Sequence, residues 1–110
     1  MADEITVWIQ KNRSVYIPTA FSPDGAGLNE TFIVFGGQEV RFLRALRVYN
    51  RWGSLMFEVA GDLKPSIPDF GWNGKFNGQL MPAGTYLYQA EVEFLDGEVL
   101  PYWGEVYLMR

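Results

Sequence analysis

The clearest pattern in this sequence is an alternation of apolar and polar positions in the segment Thr85–Leu95. One face carries Tyr86, Tyr88, Ala90, Val92 and Phe94, and the other carries Thr85, Gln89, Glu91 and Glu93. A period of two places successive side chains on opposite faces of a β-strand, so this segment is predicted to be a strand with one buried face. Asp96-Gly97 follows immediately, and this dipeptide tolerates the positive φ angles of a two-residue hairpin turn.

The chain is therefore predicted to return antiparallel through Val99–Met109, which alternates in the same way. Gly104, Val106 and Leu108 share one face of the returning strand, and Trp103, Glu105, Tyr107 and Met109 share the opposite face. The second face is predicted to be the outer one. Trp103 and Tyr107 are consequently the best candidates for an exposed contact stripe.

Short runs rich in Val, Ile, Tyr, Phe and Trp recur along the chain between clusters of Gly, Pro, Asn and Asp. About seven such runs are present, a number and spacing typical of an all-β domain. They are Ile5–Ile9, Val15–Ile17, Thr31–Phe35, Val40–Asn50, Leu55–Val59, Gly84–Leu95 and Val99–Met109, with a short bridge near Trp72.

The segment Glu39–Arg47 fits two structures. Apolar and basic residues both recur at intervals of three, with Val40, Leu43 and Leu46 in one series and Arg41, Arg44 and Arg47 in the other. This spacing fits an amphipathic helix, and a strand with a bulge fits equally well. We favour the strand because the segment is short and continues into alternating residues up to Arg51. The arginines are then expected on a solvated face.

The first 14 residues differ from the rest of the chain. Ile5–Ile9 is strand-like, and the polar stretch Gln10–Ser14 follows it. We interpret residues 1–14 as a linker or the remnant of a preceding module, and residues 15–110 as a single domain. On this interpretation the chain is part of a longer protein.

Composition excludes several function classes. The chain has no Cys and no His, which excludes disulfides, a thiol nucleophile, a Cys/His zinc site and a Ser-His-Asp relay within it. Nine Lys and Arg against 13 Asp and Glu give a formal net charge of −4, which argues against a nucleic-acid partner. Neither a membrane-spanning run nor a basic N-terminal signal peptide is present, so membrane insertion is not expected.

Four sequence signatures occur in a characteristic order. They are Tyr16-Ile-Pro-Thr-Ala-Phe-Ser-Pro-Asp-Gly-Ala-Gly-Leu-Asn-Glu-Thr-Phe32, Tyr49-Asn-Arg-Trp-Gly53, Trp72-Asn-Gly-Lys-Phe-Asn-Gly78 and Pro82-Ala-Gly-Thr-Tyr-Leu-Tyr88. Together with the last segment, Gly104–Arg110, they resemble the gliding motility-associated C-terminal domain, the type B sorting domain of type IX secretion. The resemblance extends from Val15 to Arg110.

The resemblance implies an immunoglobulin-like antiparallel β-sandwich of about seven strands with Greek-key connections. It also implies that the domain is a C-terminal sorting signal. The type IX translocon and accessory outer-membrane proteins would recognise it, and the N-terminal cargo domains of the same polypeptide would be exported through the periplasm and outer membrane. The product would be secreted or placed on the cell surface, and no cofactor is implied.

The last strand is the predicted contact with the translocon. A strand at a sheet edge exposes unpaired N–H and C=O groups, to which a partner can add a strand. The predicted partner-binding residues are Trp103, Gly104, Val106, Tyr107, Leu108 and Arg110. In the alternative interpretation, Val106 and Leu108 fill a core and the edge is protected.

The family motifs supply a second set of residues with structural roles. The set comprises Pro18, Phe21, Pro23, Asp24, Asn29, Asn50, Arg51, Trp52, Gly53, Trp72, Gly74, Gly84 and Tyr86. In the Pro18–Asn29 loop, Ala26 stands where the family has the central Asp of its acidic pattern. We therefore favour a turn closed by the side chains of Asp24 and Asn29 over a calcium site.

The tryptophans offer an alternative function. Exposed rings could form a carbohydrate-binding or adhesive module, but Trp52 and Trp72 are predicted to pack at a corner or in the core. Arg51 is expected to pair with a carboxylate. Glu91 and Glu93 share a strand face and read as solvated surface, and no acid, base and pocket come together. The chain is therefore not predicted to be an enzyme.

Overall fold

The computed structural model describes residues 14–23 and 30–109, and nearly all regular structure within them is β-strand. The strands are β1 (Val15–Tyr16), β2 (Ala20–Phe21), β3 (Phe35–Gly36), β4 (Val40–Tyr49), β5 (Leu55–Leu63), β6 (Lys75–Phe76), β7 (Gln79–Leu80), β8 (Gly84–Phe94) and β9 (Val99–Leu108). A 3-10 turn at Pro68–Phe70 is the only helical element in these residues. The predicted all-β class is confirmed, while the predicted strand Ile5–Ile9 lies outside the described residues.

Five strands form one sheet in the order β2-β9-β8-β4-β5. The four long strands of this sheet are antiparallel neighbours, as they are in one sheet of a variable-type immunoglobulin sandwich. β2 adds a parallel pair to the predicted antiparallel fold, because Ala20–Phe21 runs alongside the end of β9. β1 pairs with β3, and β6 pairs with β7, in two small sheets.

The segments outside the five-stranded sheet, among them those around Phe32 and Trp72, form a second layer that shares one core with the sheet. Its most deeply buried members come from the long strands and from the segments outside them, and they are Phe21, Phe32, Val34, Leu43, Leu46, Val48, Trp72, Ala90, Val92, Phe94, Val106 and Leu108. The inner face of β8 is thus buried, as its alternation predicts. Each fully buried large side chain contributes about 1.5–3 kcal/mol relative to an exposed one.

Trp72 lies at the centre of this core and is fully buried. Its indole ring contacts Phe21 at 5.5 Å and Tyr86 at 5.0 Å between ring centroids. Its backbone bonds in both directions to Phe32, with N–O distances of 2.8 and 3.0 Å, so it connects two segments of the second layer. The predicted core position of Trp72 is confirmed.

Tyr86 forms the corner that is characteristic of immunoglobulin-like domains. It lies near the start of β8, and its hydroxyl donates to the carbonyl of Pro82, 2.7 Å away. A tyrosine that bonds back to the chain a few residues upstream has this geometry in immunoglobulin-like folds. The bond fixes the loop Pro82–Gly84 against the sheet.

The ambiguous segment Glu39–Arg47 is a strand, as we favoured. Its register against β8 shifts twice, between Val40 and Phe42 and between Leu43 and Ala45. Each shift places an extra residue on β4, as a β-bulge does. The second bulge lets Leu43 and Leu46 both face the core although they are three positions apart. This explains the helix-like spacing.

Ion pairs cover the outer face of β4, β5 and β8. Arg47 pairs with Glu58 at 2.8 Å and Glu91 at 3.8 Å, and Arg44 pairs with Asp62 and with Glu93. The hydrogen bond to Glu58 raises the pKa of the Arg47 guanidinium above its ordinary value. These partly exposed pairs each contribute little to stability, about 0–1 kcal/mol. They make this part of the outer face polar.

Candidate functional site

β9 carries the predicted contact residues, and its two edges are covered unequally. One edge pairs with β8 without a register shift over Val99–Leu108. On the other edge the Tyr107 N–H donates to the Thr19 carbonyl (2.8 Å), and the Met109 N–H donates to the Phe21 carbonyl (2.9 Å). The end of β9, which we expected to offer an open edge, is therefore closed by β2.

The upstream part of β9, Val99–Glu105, has no strand beside it on this second edge in the described part of the chain. Backbone groups in an antiparallel ladder point alternately towards one neighbour and the other. Because Tyr107 points its N–H away from β8, Trp103 and Glu105 do so too. Pro101 belongs to the same series and has no N–H, which is typical of an edge strand. The N–H groups of Val99, Trp103 and Glu105 thus face an edge that no described strand covers.

The side chains of β9 divide into two groups as the alternation predicts. Trp103 is 68% exposed and Tyr107 is 46% exposed, whereas Val106 and Leu108 are fully buried. A partner can therefore reach the first pair on the folded domain but not the second pair. The predicted residue Arg110 lies outside the described residues.

Gly104 has a packing role that the sequence does not reveal. It lies opposite Tyr88 on β8, and a Cβ at this position would be 2.9 Å from the Tyr88 hydroxyl oxygen. Burial raises the pKa of that hydroxyl above its ordinary value. The glycine makes room for the tyrosine ring across the strand pair.

The turn between β4 and β5 is held by the side chain of Asn50. Its Oδ1 accepts from the N–H groups of Trp52 and Ser54, both at 2.9 Å, and its carbonyl accepts from Gly53 at 2.9 Å. Gly53 has a φ of +86°, which favours glycine. The prediction that Trp52 packs at a corner or in the core is wrong, because Trp52 is 81% exposed. Arg51 does not pair with a described carboxylate and instead lies over the Trp52 ring at 5.8 Å.

A cavity of about 340 Å³ opens beside this turn. The turn lines one side of it, and the loop that leads into β8 lines the other. Two of the four family signatures, Tyr49–Gly53 and Pro82–Tyr88, therefore meet at one place on the surface. This site could not be predicted from the sequence, because its two sides are far apart along the chain.

The CHU_C type IX secretion signal domain matches residues 15–108 of this chain. The chain belongs to this family. The CHU_C domain is a sorting signal of type IX secretion, which is recognised by the secretion machinery and directs an attached cargo polypeptide across the outer membrane. The family is not a known enzyme family, and the match gives the carbohydrate-binding alternative no better support. A search of curated proteins found no significant match.

The remaining CHU_C motif residues lie mainly where the segments of the second layer meet the sheet. Phe21 lies in the core, and Gly74, with a φ of +84°, lies where a Cβ would be 3.1 Å from Pro23 and 3.2 Å from Leu108. Gly84 also has a positive φ, and Pro18 lines a smaller cavity beside β2. The glycine at position 74 thus lets the third signature approach both the first signature and β9.

The described part of the CHU_C domain contains neither a cluster of metal ligands nor a membrane-spanning helix. Over residues 14–23 and 30–109, no group of three His, Cys, Asp or Glu residues is arranged to hold a metal ion. Nor does this part of the chain contain a helix with the length and apolar character needed to cross a membrane. Asp24 and Asn29, the residues of the predicted loop turn, lie outside the described residues.

Replacing Asn50 by Ala is expected to lower the free energy of unfolding by about 1–3 kcal/mol, because two hydrogen bonds to its side chain are lost. The change is measured by urea unfolding followed by far-UV circular dichroism. Asn50→Asp, which keeps the acceptor oxygen, serves as the control and should unfold close to the unchanged domain. Equal losses in the two variants would contradict this role of the side chain.

Proposed function

We propose that the type IX translocon and its accessory outer-membrane proteins bind the CHU_C domain along β9. The open backbone edge of Val99–Glu105 carries this proposal. The Trp103 and Glu105 N–H groups on this edge are available for a strand contributed by a partner. Exposed Trp103 and Tyr107 lie on the outer face of the same strand and provide apolar contact area beside the edge.

The structure favours the upstream half of β9 over its end as the place for backbone pairing. β2 already pairs with the end of the strand, so a partner strand there would have to displace two backbone hydrogen bonds. Upstream of Glu105 nothing in the described chain has to be displaced. At the end of β9 the partner then contacts the Tyr107 side chain, while Val106 and Leu108 anchor the strand in the core.

The proposal extends to the rest of the polypeptide. Residues 1–14 are proposed to link the CHU_C domain to the cargo, which reaches the periplasm before the domain is recognised at the outer membrane. The product is then released or kept on the cell surface.

Removal of one backbone donor tests the proposed edge. Glu105→Pro deletes an N–H that faces the open edge and leaves the pairing with β8 in place, so export is expected to fall at least tenfold. The chain is fused to a secreted reporter in a bacterium with a type IX system, and the reporter is measured in the medium and on the cell surface. Glu105→Ala keeps the N–H and should be exported normally.

Because proline restricts φ, each variant is first checked for folding by urea unfolding. Trp103→Ala provides a second variant that leaves the backbone unchanged, and it is expected to reduce export several-fold. Normal export of a folded Glu105→Pro domain, together with normal export of Trp103→Ala, would reject β9 as the contact.

A further inference from the structure

The turn between β4 and β5 presents an exposed tryptophan on a rigid support. Four hydrogen bonds close the turn, two to the Asn50 side chain and two between the backbones of Asn50, Gly53 and Ser54. Trp52 is nevertheless 81% exposed, while Trp72 is fully buried. Tryptophan and arginine are the residues most enriched at the energetic centres of protein interfaces. Because hydrogen bonds fix the backbone of the turn, a contact at Trp52 has a smaller ordering cost.

The cavity beside this turn has room for an apolar group. Met56, Met81, Pro82 and Ala83 are apolar residues of its lining. Methionine side chains adapt to guests of different shape, so two of them suit a cavity that receives a side chain of a partner. The volume of about 340 Å³ lies at the lower end of the range of small-molecule pockets and is ample for one large side chain.

The charge at the rim of the cavity indicates the charge of the group that binds there. Among the described residues, Arg51 is the only charged one in the lining of this cavity. Unlike Arg44 and Arg47, it makes no ion pair with a residue in the described ranges. Its guanidinium lies over the Trp52 ring, and a stacked guanidinium keeps in-plane N–H donors that match a carboxylate. A negatively charged guest is therefore favoured, although the chain itself is acidic.

The cavity adjoins the face of β9 on which the proposed function depends. Thr85 lines the cavity, and it lies directly opposite Tyr107 in the pairing of β8 with β9. A protein bound along the outer face of β9 can therefore continue to the cavity. This continuity makes a polypeptide the favoured guest rather than a free small molecule.

We propose that the cavity beside Trp52 is a second contact surface of the sorting domain, which takes a large apolar side chain followed by an Asp or Glu from a protein of the secretion machinery. The apolar side chain enters between Met56 and Met81, the carboxylate meets Arg51, and Trp52 covers the peptide. The origin of the partner rests on the proposed function, whereas the binding chemistry does not.

Peptide titration of the 110-residue chain tests the binding chemistry. The probes are the blocked tetrapeptides Gly-Phe-Asp-Gly, Gly-Phe-Lys-Gly and Gly-Ala-Asp-Gly, and the readout is the amide NMR shift of Ala83 and Thr85. Gly-Phe-Asp-Gly is expected to give saturable shifts, and each of the other two peptides should bind at least tenfold more weakly. Equal affinities, or no saturable shift, would overturn the inference. So would saturation by a neutral chitotriose probe without any response to the peptides.

Matched variants locate the binding. Arg51→Gln is expected to weaken Gly-Phe-Asp-Gly at least fivefold, and Arg41→Gln is its control, because Arg41 also stacks on a neighbouring ring, that of Phe42 at 5.6 Å. Trp52→Ala is expected to abolish the shifts, with Trp103→Ala as the control. Equal effects of a variant and its control would overturn the placement.

Export of the fused reporter separates this inference from the proposed function. Trp52→Ala is expected to reduce export at least fivefold when the domain remains folded. Normal export of Trp52→Ala with loss of export in Glu105→Pro would reject the second surface alone. Loss of export in Trp52→Ala, with normal export of both Glu105→Pro and Trp103→Ala, would reject the contact along β9 alone.

Discussion

Replacing Trp72 by Ala is expected to lower the free energy of unfolding of this CHU_C domain by about 3–5 kcal/mol. The ring is fully buried and contacts Phe21 and Tyr86, so its removal leaves a cavity at the junction of the two layers. Its Nε1–H also donates to the Lys75 carbonyl at 3.0 Å, and this bond is lost. Because small domains are stable by about 5–15 kcal/mol, much of the stability depends on this one side chain.

Urea unfolding followed by circular dichroism measures this loss. Trp103→Ala makes the same chemical change on the outer face of β9 and should cost less than about 1 kcal/mol. Trp72→Phe keeps part of the ring contact, so its loss of stability should lie between those of Trp72→Ala and Trp103→Ala. Similar unfolding midpoints for Trp72→Ala and Trp103→Ala would contradict the assignment of Trp72 to the core.

Two adjacent residues at the end of β9 are expected to affect the free energy of unfolding very differently when each is replaced by Ala. Leu108 is fully buried, so Leu108→Ala should lower the free energy of unfolding by about 2–5 kcal/mol. Tyr107 points outwards, so Tyr107→Ala should leave stability within about 1 kcal/mol of the unchanged domain. We expect Tyr107→Ala to reduce export of a fused reporter nevertheless, because it removes part of the proposed contact.

The pair of variants separates a structural role from a recognition role. Stability is measured by urea unfolding and export by the amount of reporter outside the cell, each for both variants. The alternative that this strand only fills a core predicts loss of export in Leu108→Ala and normal export in Tyr107→Ala. A stable Tyr107→Ala domain that is exported normally would therefore contradict a contact through Tyr107.

The long strands could be predicted from the sequence because their signals are local. The alternation in Thr85–Leu95 and the turn dipeptide Asp96-Gly97 specify a hairpin with little help from the rest of the chain. Glu39–Arg47 was ambiguous because bulges give a strand apolar residues three positions apart. The register shifts against β8 that resolve the ambiguity come from pairing with residues about fifty positions away.

The candidate site could be predicted only in part. The outward position of Trp103 follows from a period of two, and the structure confirms it. Which part of the β9 edge is covered by β2 could not be predicted, because the pairing joins segments far apart along the chain. Trp52 is predicted to pack because aromatic residues are usually buried, whereas the N–H groups of Trp52 and Ser54 donate to the Asn50 side chain and hold the turn away from the core.

The sequence by itself determined the all-β class, the last hairpin and membership of the sorting-domain family, because alternation, turn residues and motif order are all readable along the chain. Only the tertiary structure decided that β2 covers the end of β9, that no described strand pairs with the second edge of Val99–Glu105, and that a cavity forms beside Trp52. Each of these depends on which distant segments come together. Backbone hydrogen bonds and packing between such segments have no signature within either segment alone.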